Sequence, residues 1–203
     1  MTTTKIYYRV LRDDSQRRHL LTWWARLRND EALLNQLGLP GGNSAYSRGV
    51  GAALRHCGDP DSALLTEGFR LLWFATGGES ETRSANLMPA WATVAAVLAS
   101  VKAHEPDHSF ATALGQEKAQ TGKPAMSELR FSQLQKSPDM DAFFTRCRRA
   151  VALLNCRVNI LSLADDILLW HTEQQGRRSS QPSHRLAAKW ANDYFTAIAG
   201  QQK

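Results

Sequence analysis

The chain has little of what marks exported or membrane-spanning proteins. Its three cysteines form no Cys-x-x-Cys pair, so the sequence indicates neither a disulfide framework nor a closed zinc site. No apolar run approaches the roughly 20 residues that a membrane-spanning helix needs. The first ten residues also lack the apolar stretch of a signal peptide. We therefore expect a cytoplasmic protein that does not enter a membrane.

Residues that favour strands are scarce as well. The chain has 7 valines and 4 isoleucines, against 27 alanines and 25 leucines. Ala and Leu are strong helix formers, whereas Val and Ile favour strands. Apolar residues also recur at steps of three and four, as they do along one face of a helix. The sequence therefore predicts an all-α fold with essentially no sheet.

One polar segment interrupts this helical pattern near the middle of the chain. Residues 115–125 (GQEKAQTGKPA) hold two glycines and a proline, which favour a loop. A chain of 203 residues is long enough for a helical unit with two lobes. We predict a two-lobed helical bundle protein, with an N-terminal helical lobe at 1–115, a linker at 116–126 and a C-terminal helical bundle at 127–203.

Three local predictions can be compared directly with a structure. A helix that starts at Asp59-Pro60-Asp61 should bury Leu65, and Ser127 should cap a helix that carries Leu129, Phe131 and Leu134. Arg146, Arg149 and Arg157 step by three and eight, so they can share the solvent side of one helix.

Two motifs that contain acidic residues could be interpreted as metal-binding or catalytic sites. The run from His104 to His108 matches the His-Glu-x-x-His pattern of zinc proteases, but Pro106 disfavours the uninterrupted helix which that motif needs. We predict no metal site and no cofactor here. Asp165 and Asp166 diverge by about 100° on a helix, so we expect one of them to face solvent or cap a neighbouring element. The sequence predicts no catalytic residues.

The charge distribution is more informative. Lys and Arg total 25 against 19 Asp and Glu, which gives a net charge of +6. Between 123 and 157 there are seven basic residues and three acidic ones. Guanidinium groups bind phosphate oxygens in a bidentate manner. On charge alone, a nucleic-acid interface and an ordinary solvated face both remain open interpretations.

The C-terminal half carries a resemblance to a known family. Its order and spacing of helical segments are similar to those of the CasB family, the small subunit of the type I-E CRISPR Cascade complex. The residues that carry the resemblance are Ser127-Glu128-Leu129-Arg130-Phe131-x-x-Leu134, Phe143-Phe144-Thr145-Arg146-Cys147-Arg148-Arg149-Ala150-Val151-x-Leu153-Leu154, Leu163-Ala164-x-Asp166-Ile167-x-x-Trp170 and Trp190-Ala191-x-Asp193-Tyr194-Phe195. A more diffuse match includes Ser47-Arg48-Gly49-x-x-Ala52-Ala53-Leu54-Arg55.

This resemblance implies a non-catalytic subunit of an antiviral ribonucleoprotein. The implied partners are the CasA large subunit, the CasC backbone, CasD, CasE, a second copy of the chain, the crRNA, and the target and non-target DNA. Basic side chains of the family support the target strand and hold the displaced strand of the R-loop. By position, the nucleic-acid-binding residues would be Arg48, Arg55, Arg83, Lys123, Arg130, Arg148, Arg149, Arg177 and Arg178.

The sequence differs from the CasB family at two places, and two other functional interpretations remain open. Gly51 and His56 stand where relatives often have further arginines, and the loop 174–181 is longer than usual. The alternative from another class is a free-standing helical DNA-binding regulator, although no distinct recognition helix follows a short turn. A metalloprotease that uses His104 and His108 is the third and least favoured interpretation.

Overall fold

The computed structural model describes residues 6–39, 45–77, 85–117 and 122–201. Within these ranges the chain forms eleven α-helices, two short 3₁₀ turns (Ala85–Leu87 and Pro182–His184) and one two-residue strand pair. The helices are α1 (Asp14–Arg28), α2 (Glu31–Gln36), α3 (Arg48–His56), α4 (Pro60–Leu64), α5 (Glu67–Ala75), α6 (Met88–Leu98), α7 (Phe110–Gly115), α8 (Glu128–Gln135), α9 (Met140–Leu153), α10 (Ile160–Gln174) and α11 (Leu186–Gln201).

The prediction of an all-α fold is confirmed. The two strands, β1 (Ala103–His104) and β2 (Arg157–Val158), pair in parallel, with Ala103 opposite Arg157 and His104 opposite Val158. They are too short to make a sheet layer, and they serve to join the segment after α6 to the segment after α9. No helix in the described ranges is both long and apolar enough to cross a membrane.

Short polar side chains define most helix starts. At seven N-caps a side-chain oxygen accepts a hydrogen bond from a backbone N–H of the first turn, which would otherwise lack a partner. These residues are Asp13, Asp30, Asp59, Thr66, Ser109, Asp139 and Asn159. Ser127 occupies the N-cap of α8 as predicted, but its side chain makes no capping hydrogen bond.

Two central helices form the middle of the core. Every residue from Ala90 to Leu98 in α6 and from Ile160 to Trp170 in α10 is buried, and the two helices pack against each other. All six tryptophans are buried too. Burial of this many large side chains is the main favourable contribution to folding.

The core continues across the predicted linker. Helix α7 precedes residues 116–126 and packs against α11, which follows them. Gly115 allows this close approach, because a Cβ at that position would lie 2.4 Å from the carbonyl oxygen of Tyr194. Buried residues from both sides form one contiguous cluster. The division of the chain into two lobes with a linker at 116–126 therefore stays a prediction.

One prediction of a buried leucine is wrong, and a second leucine on a predicted helix faces solvent. Leu65 is 85% exposed because α4 ends at Leu64 and Thr66 caps a new helix. The break rotates Leu65 out of the apolar stripe that Phe69 continues. Leu129 is 71% exposed because α8 turns its Phe131 and Leu134 face to the core. Periodicity placed Leu65 on an apolar stripe, and the end of α4 moved it to the surface.

The predicted row of three arginines on one helix is also wrong. Helix α9 ends at Leu153, and Asn155 and Cys156 take left-handed backbone conformations with φ of 54° and 60°. The carbonyl of Cys156 then accepts a hydrogen bond from the backbone N–H of Lys102 at 2.7 Å. As a result, Arg157 lies on β2, where its guanidinium pairs with Glu105.

Candidate nucleic-acid interface

Two of the predicted site residues meet in a groove between α8 and α9. The α8–α9 groove has a volume of about 600 Å³, and none of the described residues that line it is acidic. The lining residues are Met126, Arg130, Gln133, Leu134, Arg146, Arg149, Ala152 and Leu153. Arg146 and Arg149 share one face of α9 because they are three residues apart, and Arg130 faces them from α8. Three guanidinium groups without a carboxylate make this groove a positively charged surface.

The third cation of the groove, Arg146, is held in place. Its Nη1 donates to the carbonyl oxygen of Gln133 at 2.5 Å and to Oγ of Ser137 at 3.1 Å. Both acceptors lie at the C-terminal end of α8, where carbonyl groups carry partial negative charge and favour a cation. Arg130 and Arg149 are exposed. The groove therefore combines one fixed guanidinium with two that extend into solvent.

Arg148 has a different environment from its neighbour Arg149. Its Nη1 donates to the carbonyl of Cys57 at 2.8 Å, and its Nη2 donates to the carbonyl of Arg55 at 2.7 Å. The guanidinium also lies over the Phe144 ring, 5.4 Å from the centroid. These contacts bind α9 to the C-terminal end of α3. The structure thus gives Arg148 an internal role, which the sequence did not predict.

The predicted residues of α3 lie near that contact. Arg48 is exposed at the first turn of the helix, and Arg55 is half-buried in the last turn. Gly51 leaves room for Arg55: a Cβ at position 51 would lie 3.0 Å from Nη1 of Arg55 and 3.5 Å from Leu27. The absence of a side chain at Gly51 therefore has a packing reason in this chain.

The remaining predicted residues lie elsewhere. Arg177 and Arg178 are exposed on the loop after α10, which leaves the helix through Gly176 at a φ of +79°. Nη2 of Arg177 donates to Oε1 of Gln175 at 2.7 Å. Lys123 is exposed before α8, and Arg83 lies outside the described residues. Of the nine predicted positions, Arg130 and Arg149 are the two that line a common groove in the described part of the chain.

The histidine pair does not have the geometry of a zinc protease. His104 lies on β1, and its Nδ1 accepts a hydrogen bond from the backbone N–H of Ile160 at 3.3 Å. Burial lowers the pKa of His104. His108 follows Pro106 in a turn, so the two rings do not share a helix face, as predicted. No group of three or more metal-ligating side chains occurs among the residues that the structure describes.

A buried charged cluster is the feature that the sequence interpretation missed. Asp165 and Asp166 are both fully buried, and the Lys189 side chain that pairs with them is 10% exposed. Oxygens of Asp165 accept hydrogen bonds at 2.7–3.0 Å from the backbone N–H groups of Arg9, Val10 and Leu11. Asp165 thus caps a neighbouring segment as expected, but neither carboxylate faces solvent. The signal was present: two acids within the otherwise mostly apolar run ILSLADDILLW require internal partners.

Lys189 supplies the positive charge that pairs with the two carboxylates of this cluster. Its Nζ lies 2.5 Å from Oδ1 of Asp166 and 3.6 Å from Oδ2 of Asp165. Burial raises the pKa of Asp166 to about 6, although Lys189 opposes that change. The two carboxylates raise the pKa of Lys189, against the effect of its own burial. Backbone and ion-pair contacts hold the cluster within the fold, and, of its carboxylate oxygens, only Oδ2 of Asp166 has no hydrogen-bond partner among the described residues.

The fold and the groove define a basic, all-helical protein with a surface suited to anions. Comparison of the chain with known protein families identifies the family to which it belongs. The family model described as CRISPR-associated protein Cse2 matches residues 50–195, and the chain belongs to that family. Cse2 is the type I-E small subunit, so the resemblance to the CasB family is confirmed.

One curated relative gives the extent of the similarity. It is the CRISPR-associated protein Cse2 of Thermus thermophilus, which is 33% identical over 100 residues. The alignment covers 49% of this chain and 52% of the relative, so the chain spans about half the length of the curated protein it matches. No solved structure matches the chain significantly.

Proposed function

We propose that the chain is a non-catalytic subunit of a type I-E CRISPR Cascade ribonucleoprotein, in which it binds nucleic-acid backbone and stabilises the R-loop. Membership of the Cse2 family supports the assembly with CasA, CasC, CasD and CasE, with a second copy of itself and with crRNA. The same membership favours a subunit of a complex over a free-standing DNA-binding regulator.

The observation that carries the binding role is the acid-free lining of the α8–α9 groove. Arg130 and Arg149 are exposed there, and Arg146 is fixed beside them. In a guide-dependent complex, base pairing with the guide reads the sequence, and strand exchange is nearly balanced in energy. A protein that contacts only phosphates can shift this balance without reading a base. The exposed arginines have the chemistry that this role requires.

A double variant tests the proposal in assembled complexes. Arg130→Gln with Arg149→Gln removes two cations and retains polar side chains of similar length. If each arginine contacts a phosphate, target DNA binds more weakly with every guide alike. The slope of log K against log salt then flattens by roughly one to two. Binding across a salt series, with two unrelated guides, measures both effects.

The matched control is Arg70→Gln, an exposed arginine on α5 outside the proposed interface. It should leave both the affinity and the salt slope at the parent values. Unchanged DNA binding by complexes that carry the Arg130 and Arg149 double variant would contradict the proposed role of the groove. A loss confined to one guide would also contradict it, because phosphate contacts are independent of sequence.

A further inference from the structure

A second pocket lies where the N-terminal segment meets α7 and α11. This N-terminal pocket has a volume of about 300 Å³, and its lining residues come from the segments 6–9, 107–112 and 183–193. None of these residues lines the α8–α9 groove. The family model matches residues 50–195, so the wall from 6–9 lies outside the matched range. Parts of the chain that are far apart in sequence therefore meet at a site that the groove does not include.

Contacts within the fold hold the walls of the pocket in place. Oγ of Ser109, the N-cap of α7, donates to Oδ2 of Asp193 on α11 at 2.7 Å. Nζ of Lys189 lies 3.6 Å from Oδ2 of Asp165, whose carboxylate accepts hydrogen bonds from the backbone N–H groups of residues 9–11. The pocket is thus formed before a ligand arrives, which lowers the entropy cost of binding.

The charge of the pocket is opposite in sign to that of the chain. The carboxylates of Asp107 and Asp193 line the pocket beside the cations of Arg9 and Lys189. Lys189 is already paired with the two buried carboxylates of the core cluster, so an excess of negative charge remains. With histidines neutral, the whole chain carries a net charge of +6. This pocket therefore repels phosphate groups and attracts a cationic group.

The pocket presents both a donor and an acceptor that the fold leaves open. Nε of Arg9 is buried and has no hydrogen-bond partner among the described residues, which is costly unless a ligand supplies one. Oδ1 of Asp193 receives only a long hydrogen bond, at 3.4 Å from Nδ2 of Asn192. Phosphate groups offer acceptors alone, whereas a polypeptide offers carbonyl acceptors together with N–H and cationic donors. The chemistry of the pocket therefore matches a polypeptide.

We propose that the N-terminal pocket is the docking site for a basic peptide segment of another subunit of the ribonucleoprotein. An Arg or Lys side chain of that segment pairs with Asp107 and Asp193, and a backbone carbonyl accepts the hydrogen bond from Nε of Arg9. This inference rests on the proposed function and adds a protein-binding site to a chain whose α8–α9 groove binds nucleic acid.

A small zwitterion, such as a free amino acid, is the competing class of ligand. It carries both charges, and a pocket of about 300 Å³ is at the lower end of the range for small molecules. Such sites usually enclose most of the ligand. Tyr7, Asp107, Ser183 and Asn192 are exposed, so this pocket is open at the surface and leaves a path for a chain to enter and leave. That openness favours a peptide.

Incorporation into the complex tests the charges. Asp107→Asn with Asp193→Asn removes two carboxylates, while the amide oxygen at 193 can still accept the hydrogen bond from Ser109. The matched control is Asp61→Asn with Glu67→Gln, which changes the net charge equally at exposed positions of α4 and α5. Each full-length chain is titrated into a complex of the other subunits and crRNA assembled without it. We expect about tenfold weaker incorporation for the pocket variant and parental affinity for the control.

A photo-crosslinking residue identifies the occupant. Tyr7 lines the pocket and is 62% exposed, and Tyr7→p-benzoylphenylalanine retains an aromatic side chain there. Irradiation of assembled complexes should join position 7 to a peptide of another subunit that contains Arg or Lys. Phe74→p-benzoylphenylalanine, at a position on α5 that is 54% exposed, is the control and should not give that crosslink.

The outcomes separate this inference from the proposed function. If the pocket variant enters the complex as well as its control, the docking site is overturned, while the proposed function stands as long as Arg130 and Arg149 are needed for DNA binding. If the parent chain itself does not enter the complex, both are overturned. Complexes that contain the pocket variant should keep the parental salt slope for DNA.

Two further results bear on the occupant and on folding. A crosslink from position 7 to nucleic acid or to a second copy of the chain, or no crosslink to protein, would overturn the assignment of a peptide from another subunit. Asp107→Asn alone changes an exposed side chain and should weaken incorporation about threefold, so the test remains decisive if the double variant does not fold.

Discussion

Two regions of the molecule collect charge in opposite ways. In the core, Asp165 accepts hydrogen bonds from backbone N–H groups, and both Asp165 and Asp166 pair with Lys189, although Oδ2 of Asp166 has no hydrogen-bond partner in the described part of the chain. In the α8–α9 groove, Arg130 and Arg149 are exposed with no acidic residue in the lining.

This difference between the buried cluster and the groove determines which charges a partner can bind. A buried charge must be neutralised within the fold, because removing it from water without compensation is costly. An exposed cation costs little to retain, and its counterions are released when it binds phosphate. Substitutions in the core cluster should therefore change stability, whereas those in the groove should change binding.

The largest expected effect is at Asp165. Asp165→Ala leaves the N–H groups of Arg9, Val10 and Leu11 without their acceptor and removes one of the two carboxylates beside Lys189. Breaking a buried charged network of this kind typically costs about 3–5 kcal/mol of unfolding free energy. Urea denaturation followed by tryptophan fluorescence measures it. Asp107→Ala, at an exposed position, is the control and should stay within about 0.5 kcal/mol.

A loss below about 1 kcal/mol for Asp165→Ala would contradict this account, because the segment around Arg9 would then be held by other contacts.

The next effect separates two adjacent arginines of α9. Arg148→Gln removes two hydrogen bonds to the carbonyls of Arg55 and Cys57, at a cost of about 1–3 kcal/mol of unfolding free energy. Arg149→Gln, at the exposed neighbouring position, should change stability by less than about 0.5 kcal/mol and should weaken DNA binding instead. Denaturation and salt-dependent binding of both variants test the contrast. Equal destabilisation by the two substitutions would refute it.

A smaller effect depends on pH and on Asp166. Its pKa is about 6 in the folded chain against an ordinary value of 3.8, because burial disfavours the charged carboxylate. The folded state therefore binds more protons than the unfolded state between these values, so its stability increases as the pH falls through that window. From pH 7 to pH 5, the unfolding free energy of the parent should rise by about 1 kcal/mol more than that of Asp166→Asn.

The Asp166→Asn variant is the control for the parent chain, because both proteins retain Asp165, Lys189 and all other titrating groups. Parallel stability curves for parent and variant between pH 7 and pH 5 would show that Asp166 stays ionised throughout. In that case its pairing with Lys189 outweighs the effect of burial.

Composition and local spacing predict much of this fold. The excess of Ala and Leu indicates the helices, and Asp59 marks a helix start that the structure confirms. The end of α9 was not predictable in this way. Asn155 and Cys156 adopt positive φ because the chain must turn to pair β2 with β1, which lies over fifty residues earlier.

At the candidate site, too, contacts between residues far apart in the chain could not be predicted from the sequence. Arg148 and Arg149 are indistinguishable in sequence, yet one donates to carbonyls of α3 and the other faces solvent. That difference depends on the packing of α9 against residues more than ninety positions away. The basic character of residues 123–157 was readable from the sequence, but the groove that brings Arg130 to Arg149 was not.

The smallest expected change in stability is at Arg177 and Arg178. Both side chains are exposed after Gly176, and the hydrogen bond from Arg177 to Gln175 lies at the surface, so replacing both by Ala should change the unfolding free energy by only about 0.5 kcal/mol. If each arginine contacts a phosphate, assembled complexes should bind DNA more weakly for every guide, and the salt slope should flatten by roughly one to two. Arg70→Ala is the control for a lost surface cation. An unchanged slope would mean that this loop is only solvated, and the exposed cations that bind DNA would then be confined to other surfaces such as the α8–α9 groove.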